Sequence, residues 1–282
     1  MTMNRRVRVA AVAALAAFTT LGPASPAAAD PPGLVTEIET SNYTSSHKTT
    51  KADCPAGTVV TGGGGYLTAP NSPLGYAALY RMEPAWDGTG FWVGTEEIVG
   101  FAADWRHTAI AMCAPQPPGW EILSSTGANQ AQYVTTPTCG TGRSVIGVGG
   151  RVNGGLGQVI LEDLTPSFDL KTVTVRGVAV PGATDDTWTV TAYAVCANTP
   201  AGLERISLTT SSSSDSQISA VKSCPAGKAL YGGGIAVNAG NGNVLLSGVN
   251  ITPIDTVRTW ANEIAGGYAN TWNLTAYGIC GS

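Results

Sequence analysis

The stretch C-P-A-G-T-V-V-T-G-G-G at residues 54–64 recurs as C-G-T-G-R-S-V-I-G-V-G at 139–149 and as C-P-A-G-K-A-L-Y-G-G-G at 224–234. Each copy closes on a second motif: W-R-H-T-A-I-A-M-C at 105–113, W-T-V-T-A-Y-A-V-C at 188–196 and W-N-L-T-A-Y-G-I-C at 272–280. Successive opening cysteines are 85 residues apart both times. A constant period of this kind marks a repeat architecture and divides the chain into residues 30–118, 119–201 and 202–282.

The closing motif reads as a half-buried strand. In repeat two, Trp188, Val190, Ala192, Ala194 and Cys196 share one face, and Thr189, Thr191, Tyr193 and Val195 share the other. The opening Cys-Pro-Ala-Gly fits a type I turn, with Pro second and Gly fourth. Glycines follow eight and ten residues beyond each cysteine: Gly62 and Gly64, Gly147 and Gly149, Gly232 and Gly234. Each tryptophan lies eight residues before its closing cysteine. Antiparallel pairing with the cysteines opposed would therefore set Gly62 against Trp105, Gly147 against Trp188 and Gly232 against Trp272. An indole can lie flat on a strand stripped of side chains. Between these strands come further ones near residues 77–82 and 91–99, 159–164 and 172–180, and 244–250 and 259–265. With a first strand in each copy, every repeat holds five or six.

All six cysteines lie in the repeat, two per copy. Of about 15 possible pairings, the repeat selects Cys54–Cys113, Cys139–Cys196 and Cys224–Cys280. Each bridge closes a long loop, worth roughly 4 kcal/mol in the chain-entropy model. A zinc site is disfavoured, because no C-x-x-C pair exists and the only histidines are His47 and His107. No metal and no cofactor is expected.

Residues 1–29 read as a secretory signal. Arg5, Arg6 and Arg8 precede an apolar run from Val9 to Leu21, and Ala27-Ala28-Ala29 offers a cleavage site. The apolar run is short and interrupted, so stable membrane insertion is not expected. Removing it leaves 12 basic against 19 acidic residues, a net charge of −7. That balance argues against nucleic acid or an anionic membrane as partner, since both attract basic surfaces. Charged residues are only 12% of the chain. Low charge with abundant Thr, Val and Gly suits extracellular β-structure, and export suits oxidised cysteines.

The C-P-x-G-x-x-x-x-G-G-G opening and W-x-x-x-A-x-x-x-C closing resemble a repeat of secreted bacterial proteins of unassigned function. Repeat two departs from it, with Gly140 for Pro and Val148 inside the glycine run. The threefold repetition, the C-P-x-G turn that opens copies one and three, and, in repeat two only, Asp185-Asp186-Thr187 running into the strand that ends at Cys196 also resemble vitelline membrane outer layer protein. That resemblance implies a β-prism: three Greek-key sheets around a pseudo-threefold axis. The repeats here are longer than in that family.

The fold class is all-β, with three homologous antiparallel-sheet repeats. Two architectures remain: a single β-prism-like domain with one sheet per repeat, or three tandem disulfide-bonded β-sandwich modules. The short links between repeats and the one-faced strands favour the prism. The tryptophan also sits beside the second cysteine, unlike an immunoglobulin core.

No catalytic motif stands out. The glycine runs lead into strands and lack Gly-Lys-Ser/Thr, so they do not form a phosphate loop. His107 takes the inner-face position of Val190 and Leu274 and reads as a satisfied, partly buried core histidine. His47 lies in a polar stretch and reads as exposed. Glu96-Glu97, Glu162-Asp163 and Asp185-Asp186 are adjacent acids that point to opposite faces of their strands, so none is a dyad and each reads as solvated charge. Positions special to one copy are freer to serve function, and repeat one is enriched: Tyr76, Tyr80, Arg81, Trp86, Asp87, Trp92 and Glu96. Trp92 reads as core, as the counterpart of Trp260. Exposed rings beside an acid suit a sugar, so Tyr76, Tyr80, Trp86 and Asp87 form the candidate ligand site. The first functional expectation is a secreted, non-catalytic binding protein for glycans of an envelope or external polymer. The second is a structural envelope or matrix protein, and the third a secreted hydrolase or protease inhibitor. The sequence leaves the oligomeric state open.

Overall fold

The computed structural model describes residues 33–69, 74–98 and 104–282. The signal segment lies outside the described residues. Repeat one forms β1 (Val35–Thr40), β2 (Lys48–Asp53), β3 (Thr58–Thr68), β4 (Ala77–Pro84), β5 (Gly90–Glu97) and β6 (Arg106–Pro115). Repeat two forms β7 (Glu121–Thr126), β8 (Tyr133–Thr135), β9 (Arg143–Asn153), β10 (Val159–Pro166), β11 (Val173–Ala179) and β12 (Thr189–Asn198). Repeat three forms β13 (Glu204–Thr209), β14 (Gln217–Ser223), β15 (Ala229–Asn238), β16 (Val244–Asn250), β17 (Thr256–Glu263) and β18 (Asn273–Gly281).

These strands make three six-stranded antiparallel sheets, ordered β1-β6-β3-β16-β17-β14, β13-β18-β15-β10-β11-β8 and β2-β5-β4-β9-β12-β7. The expectation of one sheet per repeat is corrected: every sheet joins three strands of one repeat to three of another. The exchange is cyclic, so no repeat can complete a sheet alone. Tandem independent modules are thereby excluded. One core cluster draws buried residues from all three repeats, among them Ile110, Ile146 and Leu230.

The glycine runs explain why the sheets close on one another. A Cβ on Gly62 would meet Tyr231 O at 2.3 Å and the Gly232 Cα at 3.0 Å. One on Gly147 would meet Thr61 O at 2.2 Å and the Gly62 Cα at 2.8 Å. One on Gly232 would meet Ile146 O at 2.8 Å and the Gly147 Cα at 3.1 Å. The three opening strands therefore touch backbone to backbone in a closed ring, which is the pseudo-threefold axis. The alternate glycines make room for facing side chains: Gly63 for Phe91 and Gly65 for Val93.

This also corrects the expected register. Opening and closing strands do pair antiparallel, but Cys113 faces Val60, and Gly62 faces Met112 rather than Trp105. In the other copies Gly149 faces Tyr193 and Gly234 faces Tyr277. The opening cysteine stands outside the ladder, because the Cys-Pro-Ala-Gly turn intervenes; Thr58 N–H donates to Pro55 O at 3.1 Å. Cys54 directly follows β2, in a different sheet from β6, so its bridge to Cys113 ties two sheets at a corner. Cys139–Cys196 and Cys224–Cys280 do the same, with Cα–Cα distances of 5.8 Å. The three expected pairings are thus the observed ones. Trp105, Trp188 and Trp272 are buried as expected, but at the far ends of the closing strands. Trp105 Nε1 donates to Thr95 Oγ1 at 3.2 Å and Trp272 Nε1 to Glu263 Oε1 at 3.2 Å.

Candidate functional site

The four sequence-nominated residues are all carried by repeat one, but the structure does not gather them. Trp86 and Asp87 sit in the tight turn joining β4 to β5, where Gly88 N–H donates to Ala85 O. Tyr76 lies at the opposite end of β4, some ten residues away. At about 3.3 Å per residue that is about 30 Å from Trp86. Tyr80 lies between them, at the bulge of β4, and its ring covers Gly94 on β5. Asp87 is occupied by its own turn: Oδ1 accepts from Thr89 Oγ1 at 2.7 Å and Thr89 N at 3.1 Å. The Thr89 hydroxyl and then the Thr89 N–H hold its pKa below the usual carboxylate value. Trp86 is 68% exposed.

What surrounds Trp86 comes from neighbouring strands. In strand pairing, directly opposed residues project to the same face. Trp92 opposes Glu83, Arg81 opposes Arg151, and Arg151 opposes Thr191. One outer face therefore presents Arg81, Glu83, Trp92, Arg151, Tyr193 and Ser124, which line a depression of about 330 Å³ with Trp86 at its rim. Glu83 is 3% exposed and is the hub. Its Oε1 accepts from Arg81 Nε at 2.8 Å, and lies 2.6 Å from Arg81 Nη2 and 3.2 Å from Arg151 Nη1. Arg151 is steadied from behind by Nε donating to Asn153 Oδ1 at 2.6 Å. The Arg81 guanidinium lies 4.7 Å from the Trp92 ring centre, a cation–π contact. Burial, and then the charge of Glu83, push the Tyr193 hydroxyl up to about 12. Two guanidinium groups against one carboxylate leave this floor net positive.

Trp92 is thus not core. It is half-buried on the outer face, and register shows that Trp260 corresponds to Gly94, since Gly94 opposes Arg81 and Trp260 opposes Gly248 at the matching site. The ring–glycine pair is reversed between copies: Tyr80 over Gly94 in repeat one, Trp260 over Gly248 in repeat three. Glu83, Arg151 and Tyr193 escaped the sequence reading because two of them belong to repeat two. Only the exchange of strands between repeats brings Arg151 and Tyr193 to Trp86.

A second cluster lies farther along β5. His47 is exposed as expected, and it also makes contacts: its Nε2 is 3.1 Å from the Tyr80 hydroxyl, its ring is 4.9 Å from the Tyr80 ring, and its Nδ1 is 3.7 Å from Glu96 Oε2. Glu96 is not solvated but 4% exposed, and burial pushes its carboxyl up to about 7. His107 is fully buried rather than partly; its Nδ1 is 2.8 Å from Thr95 Oγ1, while Nε2 has no partner. Burial drives its pKa down to about 4. Glu162, likewise buried, pairs with Arg176, with desolvation raising it to about 7. Among the described residues no group of three or more His, Cys, Asp or Glu side chains could hold a metal ion.

No protein-family model matches the chain, and no curated protein matches it in sequence. Among the described residues no helix is long and apolar enough to cross a membrane. Three disulfides suit an oxidising compartment.

Proposed function

We propose that this chain is a secreted, non-catalytic binding protein whose ligand is a glycan of an envelope or external polymer, held on the outer face of β4 and β5. The observation that carries this reading is Trp86, an indole left 68% exposed at the rim of a polar depression. A single exposed tryptophan needs no explanation by itself. Here it adjoins groups already fixed in place. Sugar rings present C–H faces that stack on an indole and hydroxyl groups that need donors and acceptors. Trp86 offers the platform. Arg81, Arg151 and the Tyr193 hydroxyl offer donors whose geometry Glu83 has set before a ligand arrives, which limits the ordering cost of binding.

The experiment is a glycan array probed with residues 30–282 and with the same chain carrying Trp86→Ala. The expected result is binding to a restricted set of glycans that falls at least about tenfold, or roughly 1.4 kcal/mol, in the variant. Binding unaltered by the substitution, or no glycan bound at all, overturns the proposal and leaves the structural-body reading in its place.

A further inference from the structure

The outer face that carries the Trp86 depression continues along β5. Trp92, Gly94 and Glu96 alternate onto one side of that strand, so Glu96 lies about 13 Å beyond Trp92. There Ser45, Ser46, His47, Glu96, Glu97 and Leu156 line a separate cleft of about 240 Å³. The Glu96 carboxylate lies in its wall. The Gly157 N–H favours its charge, and His47 approaches Oε2. Oε1 is buried with no donor. Such an oxygen is costly to a fold that gains nothing else from it.

The other two repeats show that the fold does not require a charge here. Glu96 opposes Ala78, and at the matching site Val178 opposes Ile160 and Asn262 opposes Leu245. In repeat three the space is filled neutrally, with Gln217 Nε2 donating to Asn262 Oδ1 at 3.4 Å. In repeat two it is filled by a buried valine. Only repeat one places an acid, an imidazole and a phenol together.

We infer that this cleft receives the primary ammonium group of an amine-bearing sugar, with the Glu96 carboxylate in its wall as the counter-charge. The inference rests on the glycan reading of the neighbouring depression and gives that ligand a class. The groups facing Glu96 are compatible with a cation. His47, with its pKa lowered by burial and then by Lys48, is neutral at pH 7. Tyr80 is a neutral phenol. Lys48 is turned away, donating to Thr44 O and Trp105 O. Trp92 with Arg81 and Arg151 stands at one end of the track and Glu96 at the other. The face thus changes sign along its length.

Binding would also move a proton. With burial raising Glu96 to about 7, part of it is protonated at pH 7, and an incoming ammonium expels that proton. A merely structural carboxylate would release nothing. The test is titration calorimetry at pH 7, in two buffers of different ionisation heat, with a glucosamine tetramer and its N-acetylated counterpart. Unaltered protein is expected to prefer the free amine by about tenfold and to release protons on binding it. Glu96→Gln, or Glu96→Asn after repeat three should the first misfold, is expected to lose both effects while binding the acetylated tetramer as before. No binding of the glucosamine tetramer, no preference, or a preference that survives Glu96→Gln overturns the inference. If Trp86→Ala weakens neither tetramer while Glu96→Gln erases the preference, the Trp86 reading fails and the amine cleft stands.

Discussion

A Cβ placed on Gly147 would stand 2.2 Å from the carbonyl oxygen of Thr61. The oxygen belongs to a strand of another repeat, and the same close approach joins Gly62 to Tyr231 and Gly232 to Ile146. Backbone cannot yield as a flexible side chain does, so the ring as a whole must open to admit one methyl group. Gly147→Ala is expected to cost at least about 1–3 kcal/mol, read from denaturant midpoints. Gly140 supplies the control: nothing lies within 4 Å of its Cβ, and Gly140→Ala should stay within about 0.5 kcal/mol. Equal effects of the two would dismiss the axis as a close-packed junction.

Trp188 is 4% exposed, at the end of β12, where its carbonyl accepts from Gln130 N–H at 2.9 Å. Truncation there opens a cavity that strand backbone cannot refill. Trp188→Ala should cost about 3–5 kcal/mol by equilibrium unfolding. A loss under about 1 kcal/mol would mean that the indole packs no core.

Cysteine arithmetic and the repeat were enough to name the three disulfides, because both depend on residue identity alone. The register was not legible, because the turn after Cys54 takes the cysteine out of the ladder without leaving a mark on the alternation. Nor was the strand exchange. A sequence period shows that three units are alike, not which unit's strands complete which sheet. That gap hid Arg151 and Tyr193, which reach Trp86 only across the β4–β9 seam. Glu96 was misread for a different reason. Solvated charge is the default reading of a strand acid, and here His47 and the Gly157 N–H approach the carboxylate and close it off.

His107 is enclosed beside Thr95 with its pKa lowered to about 4 by burial, and next by Lys48. The unfolded chain takes up that proton at the ordinary value of 6.5. Its contribution is therefore whole above pH 6.5 and is lost as the pH falls from there toward 4. The matching positions hold Val190 and Leu274, each facing a valine. His107→Leu should gain on the unaltered protein by up to about 3 kcal/mol at pH 4 and differ little at pH 8. Unfolding curves at the two pH values decide it; an advantage that does not depend on pH would contradict the buried neutral imidazole.

Glu96 shapes the opposite side of the profile. Burial raises it to about 7, and the Gly157 N–H only partly offsets this. Between its ordinary value of 4.5 and 7 the folded protein binds a proton that the unfolded chain has released, so stability falls as the pH rises through that window. Glu162 at about 7 and Asp163 at about 6, both raised first by desolvation, act in the same range. One substitution should therefore remove only part of the slope. Glu96→Gln keeps the shape and removes the charge, so it should gain on the unaltered protein as the pH goes from 5 to 8, by up to about 3 kcal/mol. Denaturant midpoints at those two values measure it, and parallel pH profiles for the two proteins would refute it. A stabilised variant that has also lost its preference for a free amine would identify one cause for both effects: a buried carboxylate to which the ligand brings the counter-charge.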